Sequence, residues 1–196
     1  MKIIRKIEEV GLKNVIVGTI KRIKYEQLIR KYHFDPWHLS PYEWRKYIQE
    51  CVRYINNHDC KTVVDIGCGL GGLLQHVKAD KKIGMDEREE VIRAARELSD
   101  GTVTLVTGSF DEVTEKPVDY LVTLGFMHGS PEPTWTRPYR LVAERNDVRN
   151  FIVDTIPPKG EGYLLDWGKI LPENYRRIEQ LGPFLSGRYI EVWERQ

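Results

Sequence analysis

Residues 63–72 read Val-Val-Asp-Ile-Gly-Cys-Gly-Leu-Gly-Gly, and this stretch decides the fold of the 196-residue chain. A β-branched run that ends in closely spaced glycines is typical of a strand entering a tight turn before a helix. Backbone N–H groups converge at such a turn and can bind a ligand. Gly67, Gly69 and Gly72 also satisfy the dinucleotide pattern G-x-G-x-x-G, which is a weak signal on its own.

Strand and helix signals alternate from residue 60 onward. The predicted strands cover residues 62–66, 82–86, 102–107, 118–124, 162–167 and 188–194, and the predicted helices cover residues 71–77, 87–98, 146–155 and 173–181. This alternation predicts an α/β fold: a Rossmann-like, parallel-dominated twisted sheet with helices on both faces. Ligands bind such sheets at the carboxyl ends of the strands.

Residues 1–58 are predicted to form a helical N-terminal segment and cap, and residues 59–196 the core. Residues 15–32 carry isoleucines at helical spacing and many basic side chains. This pattern predicts a basic amphipathic helix that packs on its own domain, on a second subunit in a homodimer, or on a membrane surface. Ser40-Pro41-Tyr42-Glu43 is read as a capping box that starts the next helix.

Composition excludes several classes of protein. Lys and Arg number 30 against 29 Asp and Glu, and this balance argues against a generic nucleic-acid binder. The N-terminal residues 1–50 nevertheless hold 11 basic and 6 acidic side chains. The three cysteines are too few for a disulfide framework or a zinc site. No apolar run approaches the ~20 residues needed to span a bilayer, and no secretory signal is visible. We therefore expect a cytoplasmic protein.

Two carboxylates decide between ligands for the glycine turn. Asp65 stands two residues before the first glycine, where its charge disfavours a pyrophosphate and favours a cationic ligand. Asp86 ends the next predicted strand, 19 residues after Gly67, where a carboxylate can accept hydrogen bonds from ribose hydroxyls. A positively charged nucleoside such as S-adenosylmethionine fits both features.

Residues 65–72 (DIGCGLGG) and 83–87 (IGMDE) resemble motif I and the acidic loop of class I S-adenosylmethionine-dependent methyltransferases, and the resemblance covers about residues 60–167. It implies S-adenosylmethionine as cofactor, S-adenosylhomocysteine as product, and methyl transfer to a hydroxyl or amine of a small-molecule or glycan-like acceptor. Two alternatives stay open: an RNA or protein acceptor, and a nicotinamide-dependent reductase that uses the same glycine turn. The family usually closes its sheet with an antiparallel pair of strands, whereas only one clear strand is predicted here.

The resemblance and the aromatic loops together predict the residues of the site. The predicted cofactor-binding residues are Asp65, Gly67, Cys68, Gly69, Gly71, Asp86, Glu87, Ser109, Phe110, Asp111 and Leu124. The predicted substrate-binding residues are Trp37, His38, Tyr42, Arg45, Trp135 and Arg137.

His128 follows the fourth strand of the core and is the predicted general base, with His38 as the second choice. Residues 129–140 carry three prolines and are predicted to form a stiff loop that walls the acceptor site. No carboxylate cluster follows the fourth strand, so no metal is expected in the reaction.

Overall fold

The computed structural model of the chain describes residues 2–158 and 162–196. Its helices are α1 (Lys2–Val10), α2 (Leu12–Tyr32), α3 (Lys46–Asn56), α4 (Glu89–Leu98), α5 (Glu132–Asn146) and α6 (Trp167–Ile170). Its strands are β1 (Thr62–Ile66), β2 (Lys81–Asp86), β3 (Thr104–Thr107), β4 (Val118–Thr123), β5 (Val148–Thr155), β6 (Tyr175–Leu181) and β7 (Tyr189–Arg195).

The strands form one seven-stranded sheet in the order β3-β2-β1-β4-β5-β7-β6. Strands β1 to β5 pair in parallel, and β7 runs antiparallel between β5 and β6. The predicted Rossmann-like sheet is therefore confirmed, and β6 and β7 supply the antiparallel closing pair of which the sequence indicated only one strand. The order of the strands brings the carboxyl ends of β1, β2 and β4 together at one edge.

Two hydrophobic layers cover the sheet because alternate residues of each strand point to opposite faces. Val64 and Ile66 of β1 pack with α5 and α6, whereas Val63 packs with α3. Helix α4 serves two neighbours: Ile92 and Ala95 join the sheet layer, and Val91 and Ala94 pack against α2. The domain boundary at residue 58, between the N-terminal cap and the core, stays a prediction.

Residues 132–140 lie in α5, so the predicted loop over residues 129–140 is wrong for all but its first three residues. Pro131 and Pro133 stand at the start of α5, where a missing N–H costs nothing. Only Pro138 lies inside the helix. Burial of Tyr139 and three further side chains of this face against the sheet stabilises the helix in spite of that proline.

The predicted helix over residues 146–155 is a strand, β5. Asp147 adopts a left-handed conformation with φ of 51°, which ends α5 and starts a new direction. Six of the eight residues of β5 are buried. Burial on both faces removes the alternation of apolar and polar residues by which a strand is usually recognised.

The predicted helix over residues 173–181 is the edge strand β6, whose charged, exposed side chains are typical of a protected sheet edge. The predicted strand over residues 162–167 is not formed: residues 162–166 are irregular, and Trp167 starts α6. Residues 159–161, which the family resemblance also used, lie outside the described residues.

Two further local predictions are wrong. Residues 71–77 contain only a 3-10 turn at Leu74–His76. Ser40 does not cap a helix; a 3-10 turn at Tyr42–Trp44 follows it, and α3 begins at Lys46. The Gln49 side chain donates to the Glu43 carbonyl at 2.9 Å, which ties this turn to α3.

Helix α2 is apolar on two sides, and only one is covered. Its buried residues are Val15, Gly18, Tyr25 and Leu28, whereas the isoleucines that predicted its packing face are exposed. Gly18 lets α2 approach the Trp44 indole, whose N–H donates to the Val15 carbonyl at 3.3 Å. Within the described residues, no helix is both long and apolar enough to span a membrane.

Candidate functional site

The glycine turn after β1 requires glycines for two separate reasons. Gly67, Gly69 and Gly71 have φ values of 73°, 55° and 73°, in the left-handed region that disfavours other residues. A Cβ on Gly67 would stand 2.5 Å from the Phe126 ring, and one on Gly69 would stand 3.0 Å from His38 Nδ1. The bare backbone of the turn is therefore enclosed by aromatic side chains.

Asp86 joins this turn to the end of β2. The Gly69 N–H donates to Asp86 Oδ2 and the Arg88 N–H donates to Oδ1, each at 3.1 Å. The Cys68 N–H donates to the Met85 carbonyl at 2.8 Å, which continues the link between the two strands. The carboxylate is thus fixed beside the glycine turn and still lines the cavity above it.

A cavity of about 720 Å3 lies over the carboxyl ends of the strands. Its volume is within the range of small-molecule sites, ~300–1,000 Å3. The strand-end lining comes from the segments after β1, β2 and β3 and comprises Gly67, Cys68, Gly69, Asp86, Glu87, Arg88, Gly108 and Ser109. The cover lining comes from other elements and includes Lys6, Glu9, Trp37, His38, Trp44, Arg45, Lys46, Tyr47, Phe126, Trp135, Phe184, Leu185 and Arg188.

Aromatic rings and cations alternate in the cover lining. Lys6 Nζ lies 3.7 Å from the centroid of a Trp44 ring, and Arg188 Cζ lies 4.0 Å from the Tyr47 centroid. Phe126 and Trp135 meet edge to face at 6.0 Å. Rings held in this way offer a flat apolar surface beside positive charge.

Asp65 is buried near the end of β1, and half-buried Arg45 acts electrostatically on its carboxyl. Burial raises the pKa of the Asp65 carboxyl to about 7; the Arg45 guanidinium lowers this pKa and Asp86 raises it further. Arg45 lines the cavity, and its buried Nε has no hydrogen-bond partner among the described residues. An unpartnered buried donor is costly, and an anionic ligand group would satisfy it.

His38, from the N-terminal segment before α3, lies against the glycine turn at Gly69. Burial lowers the pKa of its imidazole, an effect that the nearby Asp86 partly offsets. The ring is therefore mainly neutral at pH 7.

The fully buried carboxylate of Asp154 in β5 contacts three residues that follow β4 or precede β7. It accepts a hydrogen bond from the Gly125 N–H at 3.2 Å, contacts His128 Nε2 at 3.2 Å and pairs with Arg188. His128 Nδ1 lies 3.4 Å from the Tyr163 carbonyl. Both ring nitrogens of His128 thus face protein acceptors.

The structure gathers most of the predicted site residues around the cavity. Those that line it are Gly67, Cys68, Gly69, Asp86, Glu87, Ser109, Leu124, Trp37, His38, Arg45 and Trp135. Their predicted roles in binding stay predictions.

Seven predicted site residues are outside the cavity lining: Asp65, Gly71, Phe110, Asp111, Tyr42, Arg137 and His128. Phe110 is in the core and Asp111 is exposed to solvent. Tyr42 stacks on His76 with the centroids 3.7 Å apart. Arg137 lies on α5 and lines a separate groove that includes Lys169.

Sequence reasoning missed the residues that come to the cavity from distant elements. Lys6 and Glu9 lie on α1, and Arg188 directly precedes β7. No local motif marks these positions. Arg88 could have been predicted as a cavity residue, since it directly follows Asp86 and Glu87 in the sequence.

No family model and no curated protein matches this chain. Several solved structures, however, match its fold. Magnesium protoporphyrin IX methyltransferase of Synechocystis PCC 6803, with bound S-adenosylmethionine, superposes with a TM-score of 0.65 at 18% identity, over 93% of this chain and 97% of that one.

Two other solved structures give the same result. Mitomycin 7-O-methyltransferase MmcR gives a TM-score of 0.61 at 17% identity, over 86% of this chain and 60% of that one. Small RNA methyltransferase HEN1 gives 0.58 at 19% identity, over 76% of this chain and 25% of that one. The chain has the fold of the class I S-adenosylmethionine-dependent methyltransferases.

Proposed function

We propose that this protein is a methyltransferase that binds S-adenosylmethionine at the glycine turn and methylates a hydroxyl or amine of a small acceptor in the cavity. The observation that carries the proposal is the cavity itself. It combines a bare glycine turn, a fixed carboxylate at Asp86 and an unpartnered buried donor on Arg45. Bound S-adenosylmethionine would supply an electrophilic methyl group.

The strand-end lining suits the nucleoside. Asp86 would accept hydrogen bonds from the ribose hydroxyls, as acidic residues at this position do in nucleotide sites. Gly108 and Ser109 would lie beside the base, where Ser109 is held by its own N–H donating to Glu112 Oε2 at 2.8 Å. Arg45 would bind the carboxylate of the amino acid end, and buried Asp65 would balance the charge of its ammonium and sulfonium groups.

The topology of the sheet favours this reading over a nicotinamide-dependent reductase. Dinucleotide-binding sheets of the common type continue in parallel in the order 3-2-1-4-5-6. Here β7 is inserted antiparallel between β5 and β6.

The cover lining suits a small acceptor with a flat ring. Phe126 and Trp135 would stack on it, and its polar groups would contact Lys6, Lys46 or Arg188. Such a wall aligns the acceptor with the methyl group and excludes water, and alignment alone is worth up to about 7–11 kcal/mol in favourable systems.

His128 remains the candidate base for a hydroxyl acceptor, but it would first have to leave its contacts with Asp154 and Tyr163. An unprotonated amine needs no such base. His128→Ala should lower turnover on a hydroxyl acceptor far more than it lowers cofactor affinity. Unchanged turnover would reject the role of base.

Thermal unfolding with added ligands tests the proposal. S-adenosylmethionine or S-adenosylhomocysteine at 100 times its Kd should stabilise the protein by about 2.7 kcal/mol, which raises Tm by roughly 5–10 °C. Asp86→Ala should lose most of this shift, whereas Asp59→Ala, an exposed aspartate away from the cavity, should keep it. Stabilisation by NADH and not by the adenosyl ligands would refute the proposal.

A further inference from the structure

The uncovered side of α2 carries four large aliphatic side chains. Leu12, Ile16, Ile20 and Ile23 are 58%, 53%, 64% and 56% exposed. Their spacing of four, four and three residues places them in one line along the helix, opposite the buried residues. We call these four residues the outer stripe. Scattered exposed aliphatics are ordinary, but a continuous line of them marks an interaction surface.

The charges along the outer stripe are almost all positive. Helix α2 holds six basic residues and a single acid, Glu26. Lys13, Lys24 and Arg30 are exposed near the stripe, and none of them has a carboxylate within 4 Å among the described residues. Glu26 is already paired with Arg22 at 3.1 Å. A partner that complements this surface must therefore offer both apolar groups and negative charge.

We propose that the outer stripe binds the surface of an anionic lipid bilayer. Aliphatic side chains on one face of a helix, flanked by lysine and arginine, insert at the boundary between headgroups and acyl chains while the basic residues contact the headgroups. The helix would lie in the plane of the interface.

A second copy of the chain fits the same surface less well. Pairing two outer stripes would bring Lys13, Lys24 and Arg30 of one copy near the same residues of the other. The only acid of α2 is engaged elsewhere, so this repulsion would not be offset. The stripe also lacks the aromatic side chains that dominate stable protein interfaces. The proposal does not depend on the methyltransferase activity.

Co-sedimentation of the full chain with vesicles tests the proposal. Binding to vesicles of phosphatidylcholine and phosphatidylglycerol should exceed binding to phosphatidylcholine alone, and it should weaken as salt is added. Ile16→Ser/Ile20→Ser/Ile23→Ser should weaken binding by about tenfold or more. Lys13→Gln/Lys24→Gln should weaken it by roughly 10- to 30-fold, since each basic residue near an anionic surface contributes about 1 kcal/mol, which is about fivefold in affinity.

The matched control is Leu141→Ser/Ile178→Ser, which changes two aliphatics of 44% and 47% exposure far from α2 in sequence. It should bind as the wild type does. All variants should keep the Tm of the wild type within a few degrees, because the altered side chains are exposed.

Absence of binding to the anionic vesicles would overturn the proposal. So would equal loss in the control variant, or a triple variant that binds as tightly as the wild type. Sedimentation velocity supplies the competing outcome: a concentration-dependent dimer that the triple variant abolishes would assign the stripe to a second copy. Because no ligand is added, these results are independent of the thermal-shift test of the cofactor.

Discussion

Asp65→Asn should make the protein more stable at alkaline pH. The Asp65 carboxyl is buried, and its pKa is raised from an ordinary value near 3.9 to about 7, chiefly by burial. Between these two values the native state holds a proton that the unfolded chain has released. Stability therefore falls as pH rises through this window, and the loss is complete above about pH 7.

The magnitude follows from the same values. Each pH unit corresponds to about 1.4 kcal/mol, so ionised Asp65 costs about 4 kcal/mol at pH 8, of which roughly 3 kcal/mol accrues between pH 5 and pH 8. Asparagine has nearly the shape of the protonated acid and does not titrate. Its own buried amide costs about 1–3 kcal/mol if it is poorly partnered, which leaves a net gain of about 2 kcal/mol at pH 8.

Thermal unfolding of the unliganded protein from pH 5 to pH 8 is the assay. The variant should equal the wild type or lie slightly below it at pH 5, and it should exceed the wild type by roughly 4–8 °C in Tm at pH 8. Stabilisation of the variant by S-adenosylmethionine should be smaller than that of the wild type, because a neutral amide does not attract a cation.

Asp119→Asn is the matched control. The Asp119 carboxylate accepts the Lys61 and Thr62 N–H groups at 2.8 and 3.0 Å, so its replacement should destabilise the protein at pH 8. If the advantage of Asp65→Asn does not grow with pH, or if that variant is the less stable protein at pH 8, the electrostatic reasoning about Asp65 is refuted.

Three other expectations concern the packing around the site. Gly84→Ala would place a Cβ 2.9 Å from Cys68 Sγ, so it should cost about 1–3 kcal/mol in urea unfolding and weaken cofactor binding; a neutral effect would contradict the packing below the turn. Asp154→Asn should cost about 3–5 kcal/mol because it leaves the Arg188 charge half-buried without its partner, and a loss below about 1 kcal/mol would argue against the pair. All three cysteine thiols have raised pKa values, that of Cys60 about 12, so the native protein at pH 8 should react with a disulfide reagent only slowly and the denatured chain with all three; rapid labelling of the native protein would contradict this.

The glycine turn and the strands β1 to β4 could be predicted from the sequence because their determinants are local. The left-handed φ values at Gly67 and Gly69 disfavour any other residue, and β1 and β4 are short, mainly apolar runs bounded by turn residues. The reading of Asp86 beside the turn followed from its position at the end of a strand, and the structure places its carboxylate against the Gly69 N–H.

Most of the errors lie after β4, where long-range packing overrides local preference. Pro138 sits inside α5 because the other face of that helix is buried, and β5 looks like a helix because its two faces are equally apolar. An edge strand such as β6 carries an exposed, charged sequence that has no strand period to detect.

Sequence alone determined that the chain begins its sheet with a strand, a glycine turn and a second strand that ends in an aspartate, since the backbone conformation and the charge at these positions depend on neighbouring residues. Only the tertiary structure decided what surrounds that turn. Lys6, Arg45 and Arg188 reach one cavity from elements far apart in the chain. The isoleucines of α2 point to solvent because the opposite side of the helix packs against Trp44 at Gly18. Such contacts depend on which faces remain uncovered after the sheet has been packed, and no local pattern records that.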